Sequence, residues 1–120
     1  MMDLAAGLFK AIESGDVDAV RELYSPDAVI WHNFDGVEQS VEDNLRVLGW
    51  MASTFKVRSY DDVRRTVYDG GFVQQHVLRL TKADGTVVEL PACIVATCTG
   101  DHITRTDEYL DSAHVARPAG

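Results

Sequence analysis

The sequence predicts an α+β fold, a curved antiparallel sheet packed against three N-terminal helices and enclosing a pocket. Three observations carry that prediction. Apolar residues recur at helical spacing only within the first 55 positions. From Phe55 onward, long β-rich segments follow one another across tight, glycine-containing turns. The short strand-like stretch before them, AVIWHN at 28–33, ends on an indole, an imidazole and an amide side by side. Such groups serve a pocket better than a packed core. Helices lying on one face of an antiparallel sheet satisfy this order of elements, and a sheet of long strands curls beneath them, leaving space between the layers.

Leu4, Leu8 and Ile12 set the first helix, and Gly15 is its expected stop. Asp16 is placed to cap a second helix, with Val17, Val20, Leu23 and Tyr24 along one side. Ser25-Pro26-Asp27 ends it, because proline cannot continue the backbone ladder, and 28–33 then forms a short strand. Ser40 caps a third helix, with Val41, Leu45, Leu48, Ala52 and Phe55 in one apolar stripe. Residues 57–68 are β-rich but heavily charged, as expected of a strand with one face in water. Gly70-Gly71 and Asp84-Gly85 mark the turns on either side of 72–82, and the next strand runs over 86–98. Thr99-Gly100-Asp101 turns the chain into a last strand over 102–111.

A chain of 120 residues is expected to form a single domain spanning 1–120, long enough to bury a core without staples. Its 46% hydrophobic and 25% charged content is that of an ordinary globular protein. A net charge of −8 repels phosphate backbones, so no nucleic-acid partner is expected. No apolar run reaches the length of a membrane span, and the N-terminus lacks a signal peptide's charged-then-apolar order. Neither membrane association nor export is expected, and the cytoplasm is the default location. Cys93 and Cys98 lie an odd number of positions apart in one strand, hence on opposite faces and unable to bond. The four histidines lack the local clustering a metal site needs; no metal or cofactor is expected.

Two stretches carry a resemblance. LYSPDAVIWHN, leaving helix two, and GDHITRTDEYLD, the glycine-led last strand, together with the element order, are similar to the nuclear-transport-factor-2-like superfamily. That group includes ketosteroid isomerases, limonene-epoxide hydrolases and SnoaL-like polyketide cyclases. The resemblance spans nearly the whole chain and implies a cone-shaped sheet around a pocket. It also implies pairing of two copies through the outer sheet face, here strands 57–68 and 72–82, and hence a homodimer. It specifies the fold better than the reaction, because one fold hosts many chemistries. Where the isomerases carry an aspartate base, this chain has His32, and their second acid falls near Cys93 or Ile94. Where the epoxide hydrolases carry tyrosine-x-asparagine and a last-strand aspartate, this chain has Trp31, Asn33 and Glu108. Their arginine-x-aspartate pair is replaced near Gln74 and His76, so neither set is complete. The two carry-overs disagree on which of Trp31, His32 and Asn33 faces inward, unless a bulge ends the strand.

The catalytic candidates are His76, Glu108, His32 and Asn33. His76 shares a face with Phe72, Gln74, Leu78 and Leu80. It is either a hydrogen-bonded structural histidine or a group that exchanges protons near neutral pH. Glu108 shares a face with Thr104, Thr106 and Leu110. It is either a surface carboxylate or a cavity carboxylate that needs a donor such as His76, Trp31 or Asn33, since a buried lone charge is costly. The sharpest expectation is a facing Glu108–His76 pair, with Trp31 and Asn33 holding water. The expected wall is Leu23, Tyr24, Trp31, Leu48, Met51, Phe55, Cys93 and Val95, suited to a cyclic, polyketide, steroid or terpenoid-like molecule. Arg79, Arg105, Asp107 and Asp111 are expected outside the cavity, His102 exposed, and His114 in a tail over the mouth. Two functions remain open: a cofactor-independent enzyme moving a proton (isomerase, cyclase or epoxide hydrolase), or a binding protein using the same pocket without chemistry.

Overall fold

The computed structural model describes residues 2–110. The chain forms helices α1 (Met2–Ser14) and α2 (Val17–Leu23), strand β1 (Tyr24–His32), the two-residue strand β2 (Glu38–Gln39) and helix α3 (Val41–Thr54). Strands β3 (Phe55–Tyr68), β4 (Gly71–Lys82), β5 (Val87–Thr99) and β6 (His102–Leu110) follow. The local signals act where they stand. Gly15 adopts φ 74° and stops α1. The Asp16 carboxylate accepts the Ala19 N–H at 3.0 Å, and the Ser40 hydroxyl accepts the Asp43 N–H at 3.1 Å, capping α2 and α3. α1 buries Ala5, Leu8, Phe9 and Ile12, and α3 buries Val41, Leu45 and Met51, against the sheet.

The six strands form one sheet in the order β2-β1-β6-β5-β4-β3. β3 to β6 make an antiparallel meander, as their tight turns require. The sheet is nevertheless mixed, because β1 pairs with β6 in parallel. No turn joins these two strands, so turn chemistry places no constraint on their relative direction. A second correction concerns β1, which begins at Tyr24, ahead of Pro26, and not at residue 28. Tyr24 already pairs with Ile103, and the register shifts before Val29, so Pro26 sits in an irregular stretch where a missing N–H breaks no ladder. Cys93 and Cys98 are both free thiols.

Curvature enters β3 through a bulge between Asp61 and Arg64, where Asp62 adopts φ 54°. The bulge inserts one residue. Arg58 and Tyr60 therefore share a face with Arg65 and Val67, partners of Gln74 and Phe72. At the β3–β4 turn, Gly71 is required by close approach, since a Cβ there would lie 2.0 Å from the Ala96 carbonyl oxygen. Arg58 fastens the helices to the sheet. Its guanidinium donates to the carbonyls of Ile12 (3.3 Å), Glu13 (2.9 Å), Ala52 (3.2 Å) and Phe55 (2.7 Å). Those carbonyls lie at the ends of α1 and α3, where the helical ladder runs out; that of Ile12 also accepts the Gly15 N–H at 3.1 Å. No helix among the described residues is long and apolar enough to cross a membrane.

Candidate functional site

Between the three helices and the concave sheet face lies a cavity of about 400 Å³. Its wall is mainly apolar: Phe9 and Ile12 from α1, Leu48 and Met51 from α3, and Leu78, Leu80, Leu90 and Ile94 from the sheet are among its members. Phe34, Val47 and Trp50 ring the mouth and stay 52%, 44% and 59% exposed. A larger, shallower hollow of about 650 Å³ lies on the opposite sheet face, beside Val63, Gln75, Val77 and Cys93. It opens widely to water, and the paired titratable groups lie in the first cavity, which is therefore the candidate site.

The polar groups of the cavity sit on neighbouring strands. His32 pairs in register with Glu108, Glu108 with Ile94, and Ile94 with Gln74, so one row of side chains crosses four strands on the cavity face. His32 Nε2 lies 3.1 Å from Glu108 Oε1, with side-chain exposures of 13% and 17%. Burial works against a charged His32 ring. The Glu108 hydrogen bond and charge, assisted by Asp35, outweigh it and raise the ring's proton affinity above that of an ordinary histidine. Tyr24 and Tyr60 complete the group. Burial, reinforced by the Glu108 charge and opposed by a hydrogen bond with Thr106, pushes Tyr24 up to about 12. Burial, followed by the charge of Glu108, holds Tyr60 well above the usual tyrosine value. Both phenols therefore stay protonated donors at neutral pH.

His76 occupies the next row, in register with Ala92 and through it with Leu110. It shares the cavity face with Glu108, but Glu108 takes His32 as its partner. The His76 ring stands edge-to-face with Phe9 (5.6 Å) and Tyr60 (4.7 Å), and its Nδ1 meets the Gln74 amide nitrogen at 2.9 Å. Burial lowers its proton affinity, and the charge of Glu108 works the other way.

Five expected site residues lie elsewhere. Trp31 is on the outer face, edge-to-face with Tyr109 at 5.3 Å. The end of β1 is regular, so Trp31 and His32 alternate and only His32 reaches the cavity. Cys93 and Val95 alternate with the cavity residues Ala92 and Ile94 and so face outward too. Asn33 holds backbone: its N–H donates to the Glu108 carbonyl at 3.0 Å, and its Oδ1 accepts the Leu110 N–H at 2.9 Å. It thereby brackets Glu108 on the strand without entering the cavity. Leu23 packs against the core and does not line the cavity. Tyr24, Leu48, Met51 and Phe55 do line it. Arg79 joins Asp61 and Glu89, and Arg105 joins Glu38 and Asp107, outside the cavity. His102 is exposed; Asp111 and His114 lie outside the described residues.

Sequence reasoning missed Tyr60, Trp50 and Phe34. Tyr60 hides in a charged stretch that reads as half in water. The doubled Asp61-Asp62 was the available signal that alternation breaks there. No group of three or more His, Cys, Asp or Glu side chains placed to hold a metal occurs among the described residues.

The profile of the SnoaL-like domain family matches residues 5–106, and the chain belongs to that family. No curated protein matches it by sequence. Among solved structures, a candidate polyketide cyclase from Xanthomonas campestris pv. campestris is 18% identical, with a TM-score of 0.81 over 95% of this chain and 92% of that one. IdmH, a candidate polyketide cyclase from Streptomyces antibioticus, is 22% identical, with a TM-score of 0.77 over 97% and 98%. A candidate SnoaL-like polyketide cyclase from Shewanella putrefaciens is 10% identical, with a TM-score of 0.83 over 96% and 82%. At these identities the likeness establishes the fold alone.

Proposed function

We propose that this protein is a cofactor-independent acid–base enzyme acting on a cyclic or polyketide-like hydrophobic molecule, with His32 and Glu108 as the groups that move the proton. The observation that carries the reading is the 3.1 Å His32–Glu108 contact at the wall of a mainly apolar cavity. Two groups that are costly to charge singly can share a proton. One takes a proton from the substrate while the other returns one, as isomerisation, aldol-type cyclisation or epoxide hydration each requires. Tyr24 and Tyr60 add protonated hydroxyls beside the pair. The apolar wall and the exposed aromatic rim favour rings over phosphorylated metabolites. The similarity to candidate polyketide cyclases supports the same substrate class.

The competing reading is a binding protein that uses the cavity without chemistry, favoured by the large apolar share of the wall. Turnover of cyclic β-dicarbonyl and epoxide substrates by the wild type, compared with Glu108→Gln, separates the two. An enzyme loses turnover and keeps affinity, whereas a binder shows no turnover and no difference. A thermal-shift response to phosphorylated metabolites alone defeats both. The reading also places the protein in the cytoplasm, without nucleic-acid or membrane partners. It includes a homodimer formed through the outer sheet face, which sedimentation as a monomer at micromolar concentration contradicts.

A further inference from the structure

Asn44 lies on the buried face of α3 with Val41, Leu45 and Met51, and is only 6% exposed. Asparagine is a poor helix former, and burying an unpaired amide costs about 1–3 kcal/mol, so an apolar residue would serve both helix and core better. The helix does not need the amide. Ser40 already caps α3, and the Asn44 backbone N–H donates to the Ser40 carbonyl at 3.0 Å. Among the described residues the Asn44 side chain has one hydrogen-bond partner: its Nδ2 donates to Gln39 Oε1 at a long 3.3 Å. The other end of the amide, Oδ1, has none there, and it is not closed to water as the unpartnered nitrogens of His32 and His76 are. Asn44 and Gln39 both line the cavity, so the cavity is where that atom is reached. By contrast, His32 is taken by Glu108, and Tyr24 by Thr106.

We propose that Asn44 is a specificity-determining residue of the cavity: its amide, held by Gln39, binds a hydroxyl group of the ligand. This rests on the function proposed above and narrows its substrate to hydroxylated ring compounds. Two amides joined by one hydrogen bond leave a donor on one and an acceptor on the other, whichever way the pair is turned. A hydroxyl is the complement of both, since it donates and accepts at once. The position suits a ring-sized ligand. Gln39 is in register with Ile30, which lies two residues before His32 on the same face of β1, on the order of 7 Å along the strand. A ligand held by its hydroxyl there presents the rest of its ring to the His32–Glu108 pair. An apolar wall alone does not fix that orientation; a polar anchor does. Gln39 is a positioning residue acting through Asn44.

Calorimetric binding of tetralin and of a ring-hydroxylated tetralin to the full chain tests this, because the two probes share a skeleton and differ by one hydroxyl. A hydroxyl entering an apolar cavity loses its hydration, so it strengthens binding only where a partner receives it. The hydroxylated probe is expected to bind the wild type roughly tenfold more tightly. In Asn44→Leu, which keeps the size and removes the amide, that preference is expected to vanish while tetralin affinity stays within a few-fold. In Gln39→Met the preference is expected to shrink; an unchanged ratio of the two affinities overturns the positioning role. Equal binding of both probes to the wild type, or a preference that survives in Asn44→Leu because His32 and Glu108 read the hydroxyl, overturns the proposal and leaves the apolar-ligand reading standing. Binding of neither probe overturns both. If Asn44→Leu does not fold, NMR of the wild type decides. The Asn44 side-chain amide resonances are expected to move with the hydroxylated probe and far less with tetralin, and equal responses overturn the assignment.

Discussion

On the outer face of the sheet Arg79 reaches Asp61 at 3.0 Å and Glu89 at 2.8 Å, while on the cavity face a comparable 3.1 Å contact joins His32 to Glu108. The distances are similar and the physics differs. The outer groups are a third or more exposed, permanently charged, and equally well served by water. The inner groups are largely buried, and the Glu108 carboxylate raises the proton affinity of the His32 ring. A surface ion pair is a solvation arrangement, whereas the same contact in an apolar cavity shifts the proton affinity of the histidine.

The sharpest way to break this comparison is Glu108→Gln. The amide keeps the shape and cannot take a proton. Turnover of the substrate is expected to fall by roughly a hundred- to ten-thousand-fold, with ligand affinity unchanged within a few-fold because apolar contacts dominate binding. Steady-state kinetics alongside calorimetric binding separate the two quantities. A loss of affinity matching the loss of turnover would mean that Glu108 binds the ligand and does not act on it.

Two arginines sharpen the comparison further. Arg58, on the inner face, donates to four backbone carbonyls at the ends of α1 and α3, of which that of Ile12 also accepts the Gly15 N–H. Arg58→Met keeps the apolar stem and is expected to lower unfolding stability by about 2–3 kcal/mol, since buried acceptors are left unpaired. Urea denaturation measures it.

The two histidines of the inner sheet face provide the next test, because their proton affinities move in opposite directions. His32 is raised, so its contribution is fully present below an unfolded histidine's pKa, about 6.5, and is lost as pH rises through the higher folded value. His76 is lowered, so stability falls as pH drops from about 6.5 through its folded value, where the unfolded chain binds more protons. NMR titration should resolve one histidine on each side of the ordinary value, and Glu108→Gln should bring His32 down. Titration of both at the same pH would show that the inner face does not distinguish them. The smallest effect belongs to the outer face. Arg79→Met is expected to leave the denaturation midpoint unchanged within error, and a clear shift would make the outer clusters more than solvated charge.

The amino-acid sequence by itself determined what depends on nearest neighbours. Asp16 and Ser40 cap because their side chains reach an N–H three residues ahead, and the glycine turns force β3 to β6 into antiparallel hairpins. Strand alternation placed His76 and Arg79 on opposite faces of one strand. The family, too, was legible from element order and two stretches, the one leaving helix two and the glycine-led last strand. The tertiary structure alone decided which groups meet. It set β1 parallel to β6, which put His32 opposite Glu108 and sent Trp31 to the outer face. It inserted the Asp62 bulge, which carries Arg65 to Gln74 and through it orders His76. Alternation has a period of two but no intrinsic phase or register, and both come from pairing with strands far away in the chain.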